Sequence, residues 1–473
     1  MLFSIGWMKR RYWIPICIIL CICFLKTIFE NKQDFYFAIT PKDIKKLVFV
    51  LFVILFWVYM SGIGKYVFQN DDHYARNAFF EMLVEYDWPI INSNVTGNLE
   101  GNPSRTSFIY YFGFWIPSAV AGKLFGVQIG YFFQFLWAVL GIFLAYYFIC
   151  IWQKKIQLWP LLIMIFFSGL DIAGAWFSGQ NIFSLGNDTH LEWWAVPYQY
   201  SSMTTQLFWV FNQSIPAWLC TIMILLQKNS KNIVFILACT MLTSTFPFVG
   251  LIPIVFYICM REYAEMKIST AHSIKIKSFL SNVLSFQNVA GGGIVGIISF
   301  LFLKSNIAGG HFMWQSTLGP SFHNHLLKYG FFIILEVGIY ILLLYKYNQN
   351  NRLYILCVVI LCIIPPFKVG NGGDFCMRAS IPALFILMLL VIDTLQRASF
   401  LHDKMVFWGL IFTICIGSVT PLHEISRTFS HTVSSVNNGE VPSLESYDYI
   451  EILNTEHFSG GIDDSFFFKY IAQ

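Results

Sequence analysis

Asp71 and Asp72 stand side by side in the stretch "SGIGKYVFQNDDHYARNAFFEMLVEYDWPI", residues 61–90, just after a strongly apolar run. His73, Arg76, Asn77 and Glu81 follow, with Asp72, Arg76 and Asn77 at near-helical spacing. A carboxylate beside a reacting hydroxyl accepts its proton as the new bond forms, which is general base chemistry. Adjacent acids in an ordinary loop are usually just solvated. Three features argue for more here. Acids are scarce in this chain, the pair lies within a few residues of a helix end, and its flanks are Tyr, Phe and Trp, which pack at a membrane surface.

A second dense stretch runs from "FSGLDIAGAWFSG" to "HLEWWAVPYQYSSMTTQLFWVFNQSIPAW". Asp171 sits near the outer end of an apolar helix, where an ionisable group costs about 2.5–3.5 kcal/mol if it reaches the membrane centre. It is therefore expected to face a cavity. His190, Glu192, Trp193, Trp194, Tyr198, Gln199, Tyr200, Asn212 and Gln213 follow, mixing aromatic faces with amide and carboxylate groups in the way a sugar ring's two kinds of surface require. Trp209 and Trp218 read better as an interfacial aromatic belt. A third stretch, "PPFKVGNGGDFCMRASIPAL", sets Lys368, Asp374 and Arg378 beside Gly370, Gly372 and Gly373 at the start of a helix. A helix N-terminus with an Arg nearby suits an anion, and the guanidinium fork suits phosphate. The plain alternative is an Asp374–Arg378 pair that only caps the helix. His311, His323 and His325 lack zinc spacing and read at most as substrate contacts. Glu336, inside an apolar run, either faces a cavity or is bonded to a neighbour. No motif here holds a metal or a nucleotide.

These residues are carried by a membrane chain. Of 473 residues, 56% are hydrophobic and 12% charged, against roughly 25% charged in soluble domains. Runs such as Leu47–Ile63 and Ile129–Ile149 approach the length of about 20 residues that crosses a bilayer. The expected fold class is all-α, a polytopic transmembrane helical bundle of about 11 to 13 spanning helices. The net charge of +4 needs no nucleic-acid partner, because Lys and Arg cluster in short loops as the positive-inside rule demands. Those loops are residues 42–46, 154–155, 228–231, 261–277, 346–352 and 397–404. They alternate with charge-poor or acidic outer loops only if residues 108–122, interrupted by Gly113 and Pro117, do not cross. That segment is expected to lie at the outer surface, giving a helical first outer loop. Residues 12–29 read either as one more crossing or as a re-entrant hairpin. Pro247 and Pro253 suggest two short helices. The chain divides into residues 1–46, a catalytic transmembrane module 47–226, a second module 227–419, and an outer tail 420–473 whose end, "HFSGGIDDSFFFKYIAQ", reads as an amphipathic piece on the surface.

An acidic pair opening the first outer loop, then the interfacial segment "WIPSAVAGKLFG" and the crossing "VQIGYFFQFLWAVLGIFLAYYF", resembles the GT-C superfamily of integral membrane glycosyltransferases over residues 47–226. That resemblance implies a GT-C-like fold, a polyprenyl-phosphate-linked sugar donor, and a glycan, lipid or protein acceptor. It also implies a multi-pass protein of the plasma (inner) membrane, with its active site on the extracytoplasmic side. Asp71 or Asp72 would be the general base, and Arg378 with Lys368 would hold the leaving phosphate. His73, Arg76, Asp171, His190, Glu192, Trp193, Gln199 and Asp374 would contact substrate, with His190 and Glu192 orienting the acceptor or assisting a divalent cation. Two other readings stand beside it. One is a polysaccharide polymerase or ligase acting on lipid-linked repeat units. The other is a lipid-linked glycan transporter, for which Asp171 and Glu336 are the available intramembrane acids.

Overall fold

A computed structural model describes residues 1–473 apart from 33–35, 37–38, 94, 96–98, 100–102, 181–187, 267–271, 309–311, 315–321 and 370–372, and apart from the side chains of 272–274, 312, 314, 322–324 and 399–401. His311, Gly370, Gly372 and the His323 side chain lie outside the described residues.

The chain is predominantly helical, as long apolar runs must be when no water is available to satisfy their backbone. Among the described residues, eight helices are long and apolar enough to cross a membrane. A ninth is formed if the bent pair Lys275–Val283 and Gln287–Leu303 is one span. This is fewer than the expected 11 to 13. Part of the difference is that Ile116–Phe125 and Arg352–Ile363 are too short. Pro41–Met60 is also outside the count and carries Lys42, Asp43, Lys45 and Lys46 in its first turns; it opens with a capping box between Thr40 and Asp43. Residues 12–29 belong to one continuous helix, Arg10–Asn31, rather than a hairpin. The ten-residue helix Ile116–Phe125 rises only about 15 Å at 1.5 Å per residue and packs against Val127–Gln153 and Asp72–Glu85.

Two further expectations fail. The break near Pro247 lies instead at residues 241–244, between Ile233–Thr240 and the long helix Thr245–Glu265; Pro247 falls in the first turn and Pro253 inside. The tail does not merely rest on a surface. Residues 419–437 follow the helix Lys404–Gly417 across a one-residue break at Ser418, the two making one candidate span, Lys404–Asn437, and the remainder turns back onto the segment 91–108. There β1 (Ile91–Asn92), β2 (Thr106–Phe108) and β5 (Ser459–Gly461) form an antiparallel sheet with β2 in the middle. A second pair joins β3 (Phe312–Trp314) to β4 (Phe367–Val369). The core is one large apolar cluster running through the bundle, with a small second one at Leu20, Cys23 and Phe235, and Ile381–Ala398 is the most deeply packed candidate span among the described residues.

Candidate active site

The turn after Pro41–Met60 is tight enough to need glycine. Gly62 has φ of 81°, and a Cβ there would meet Phe68 O at 2.9 Å. The chain re-enters a helix at once, Asp72–Glu85, with Asp71 at its N-cap position and no side-chain cap bond. Negative charge is favoured at a helix N-terminus, so both acids sit comfortably there. Asp72, Ala75, Arg76 and Phe79, at i, i+3, i+4 and i+7, form the stripe of this helix that faces a cavity of about 660 Å³. His73, Asn77 and Phe80 point the other way and are buried.

The opposite wall brings residues from across the chain. Tyr110 and Tyr111 follow β2, Thr245 and Phe246 open a spanning helix, Asn306 follows another, and Asp374 and Arg378 come from the short helix Asp374–Ala379. Tyr447, His457 and Phe458 come from the tail. The tail is held by main-chain bonds, Tyr447 N to Tyr74 O at 3.2 Å and Ile109 N to Phe458 O at 2.8 Å. Sequence reasoning missed Tyr110, Tyr111, Asn306 and the three tail residues. No local pattern marks them, since their role comes from contacts hundreds of residues apart in the chain.

Charge in this cavity is arranged in pairs. Arg76 Nη2 donates to Asp72 Oδ2 at 2.6 Å, and Arg378 Nη2 lies 3.2 Å from Asp374 Oδ1. Arg378 Nη1 also donates to the Tyr111 hydroxyl at 2.9 Å. One N–H edge of each fork is left over: Arg76 Nη1 and Arg378 Nε are buried with no hydrogen-bond partner. The Asp374–Arg378 pair is thus real, and it does not use up Arg378. Asp72 keeps 42% of its side chain accessible within the recess. Surrounding protein atoms raise its pKa, but Arg76 and Arg378 outweigh them and hold the carboxyl below its ordinary range. Asp71 is exposed in the cavity, and its carboxyl makes no hydrogen bond or ion pair among the described residues.

Several expected contacts do not reach this cavity. His73 is buried between Gln69 and Phe208 O, each at 3.1 Å, and burial followed by the charge of Arg76 presses its pKa to about 3. It is a neutral structural pin. Lys368 is buried in β4 and does not line the cavity. The segment 190–202 folds onto itself. His190 stacks on Trp193 with ring centroids 4.9 Å apart, and burial takes its pKa down to about 4. Glu192 accepts from Ser202 N at 2.9 Å and from Gln199 Nε2 at 3.0 Å, and burial followed by the charge of Asp171 pushes it up to about 8. Trp209 donates to Glu424 at 2.8 Å beneath Arg427, and Trp218 is fully buried on Trp57, so neither belongs to a lipid-facing belt. Asp171 lies in a separate buried cluster with Glu336. His325 does not line the cavity, and no group of three His, Cys, Asp or Glu side chains is arranged to hold a metal ion among the described residues. No protein-family model, curated protein or solved structure matches the chain.

Proposed function

We propose that this membrane protein is a glycosyltransferase of GT-C type that moves a sugar from a lipid-phosphate-linked donor to an acceptor hydroxyl on the extracytoplasmic side. The observation that carries the reading is one aromatic-walled cavity holding an acid pair and two guanidiniums, each with a spare buried N–H. Aromatic faces with a few convergent polar groups are what a sugar-sized ligand needs. A phosphate oxygen gains most from donors that are already buried and unpaired.

In this reading Asp71, the carboxylate with no competing partner, takes the proton from the acceptor hydroxyl. The acceptor oxygen bonds to the anomeric carbon as that carbon's bond to the phosphate oxygen breaks. The departing lipid phosphate gathers negative charge, which the guanidiniums of Arg76 and Arg378 stabilise from the cavity wall. Asp72 is a poorer base because Arg76 holds its electrons; its part is to fix the Arg76 fork. A general base contributes about 10²–10⁴-fold. Asp71→Asn should therefore cut product at least about 100-fold while leaving membrane insertion intact, and Asp72→Asn should cost less. The assay is glycan or glycolipid product from cells matched for membrane level of each variant. Normal product from both single variants and from the double variant would sink the reading.

A further inference from the structure

A second ionisable site lies away from the cavity, where three spanning segments are interrupted. The span Trp159–Phe177 is broken at residues 167–170, the span His325–Asn348 carries a π-helical stretch at Ile334–Gly338, and Lys404–Asn437 is broken at Ser418. Such π-helical turns and broken spans recur at functional positions. The three interruptions are stitched together. Leu170 N donates to Leu335 O at 3.1 Å, and the Tyr340 hydroxyl donates to Ser168 O at 3.0 Å. Gly169 is packed so closely on Glu336 that a Cβ would fall 2.8 Å from the Glu336 Cα.

Asp171 and Glu336 meet at this joint, 0% and 3% exposed, brought together by the Leu170–Leu335 bond and the packing of Gly169 on Glu336. Asp171 Oδ2 accepts from Ser168 Oγ at 2.8 Å and Thr420 Oγ1 at 2.9 Å, and Glu336 Oε1 accepts from Trp194 Nε1 at 3.0 Å. Asp171 Oδ1 is buried with no partner. Facing the pair are Glu192 from the segment 190–202, Tyr340 from the helix of Glu336, and Tyr200 and Cys376 farther off. No Lys or Arg pairs with either carboxyl among the described residues. Two carboxylates in contact, in an apolar interior and without a counter-charge, repel strongly. A shared proton relieves that repulsion and gives the unpartnered Asp171 Oδ1 its hydrogen bond.

We infer that Asp171 and Glu336 form a proton-binding site within the membrane, with one proton shared between Asp171 Oδ1 and the Glu336 carboxyl. Loss of that proton sets like charges against each other at the point where three spans are already broken, so its occupancy governs the fit of those segments. Sugar transfer as written above uses neither carboxyl, so the two readings stand or fall separately.

The test uses the full-length protein in lipid nanodiscs. Dicyclohexylcarbodiimide couples to a protonated carboxyl in an apolar setting and leaves a carboxylate untouched. Peptide mass spectrometry should find the adduct on Asp171 or Glu336 in mildly acidic buffer, with labelling declining as the buffer is made alkaline. Asp171→Asn and Glu336→Gln should melt near the parent temperature, because the amide replaces the shared donor, and should lose the adduct on the remaining carboxyl. Two results overturn the inference. One is the absence of an adduct on either residue of the folded parent at any pH. The other is protection by sodium but not by choline at fixed pH, which would make the occupant a metal cation.

Discussion

At the scale of single residues, the proposed function puts the phosphate against the guanidiniums of two arginines. Arg76 and Arg378 each spend one edge on a carboxylate, at 2.6 and 3.2 Å, and keep Nη1 and Nε free. Lysine in either position keeps the charge but has no second edge. Hydrogen bonds to charged groups contribute about 1.5–3 kcal/mol, so Arg378→Lys should weaken a polyprenyl monophosphate roughly 10- to 100-fold, as titrated by tryptophan fluorescence in nanodiscs. Unchanged affinity in Arg378→Ala would remove Arg378 from the phosphate. That Asp71, Asp72, Asp374 and Arg378 gather at one cavity could be suspected from the sequence because polar groups at helix ends stand out in a charge-poor chain. His190, Glu192 and Gln199 were misleading for a physical reason. The same mixture of aromatics, amides and carboxylate that lines a sugar cleft also satisfies a loop packed on itself, and only burial separates the two.

At the scale of elements, the tail is what closes the cavity, and Glu81 clasps it. Glu81 accepts from Tyr131 at 2.7 Å, from Tyr449 at 3.0 Å and from the Ser446 hydroxyl, and pairs with Lys65 at 3.4 Å. Burial by itself raises the Glu81 pKa, but Ser446, Tyr131 and Lys65 hold it below the ordinary glutamate value. A depressed folded pKa means the clasp contributes fully above the unfolded value and is lost as pH falls through the folded one. Glu81→Ala should cost on the order of 3 kcal/mol, the size of losing charged hydrogen bonds, read as a lower melting temperature in detergent. It should also speed proteolysis within residues 438–458, and acid should do the same to the parent but not to the variant. An unchanged cleavage rate in Glu81→Ala would show that the clasp does not hold the tail. The short helix Ile116–Phe125 was foreseeable from Gly113 and Pro117, which interrupt an apolar run. The return of the tail onto β2 was not, since a three-residue strand of Ser and Gly has no periodicity to read.

At the scale of the whole molecule, the arrangement makes the side of the membrane a testable matter of parity. The cavity opens at the N-terminus of Asp72–Glu85, and among the described residues only one helix long enough to cross, Val127–Gln153, separates that helix from Lys154 and Lys155. Ile116–Phe125, about 15 Å long, cannot cover a hydrocarbon core of about 30 Å. A crossing by Val127–Gln153 puts residue 85, at the exposed end of the cavity helix, and residue 155, exposed just past the span, on opposite faces. The proposed function needs Lys154 and Lys155 on the cytoplasmic side, as the positive-inside rule favours, and the cavity on the outer face, where a lipid-anchored donor would present its sugar. Glu85→Cys and Lys155→Cys avoid every residue of the cavity. In intact cells a membrane-impermeant maleimide should tag the cysteine at 85 above the parent background of native cysteines, and tag the one at 155 only after the membrane is opened. Equal tagging of both before permeabilisation means that the intervening helix does not span. Tagging of 155 alone puts the cavity in the cytoplasm, and the extracytoplasmic transfer reading fails with it.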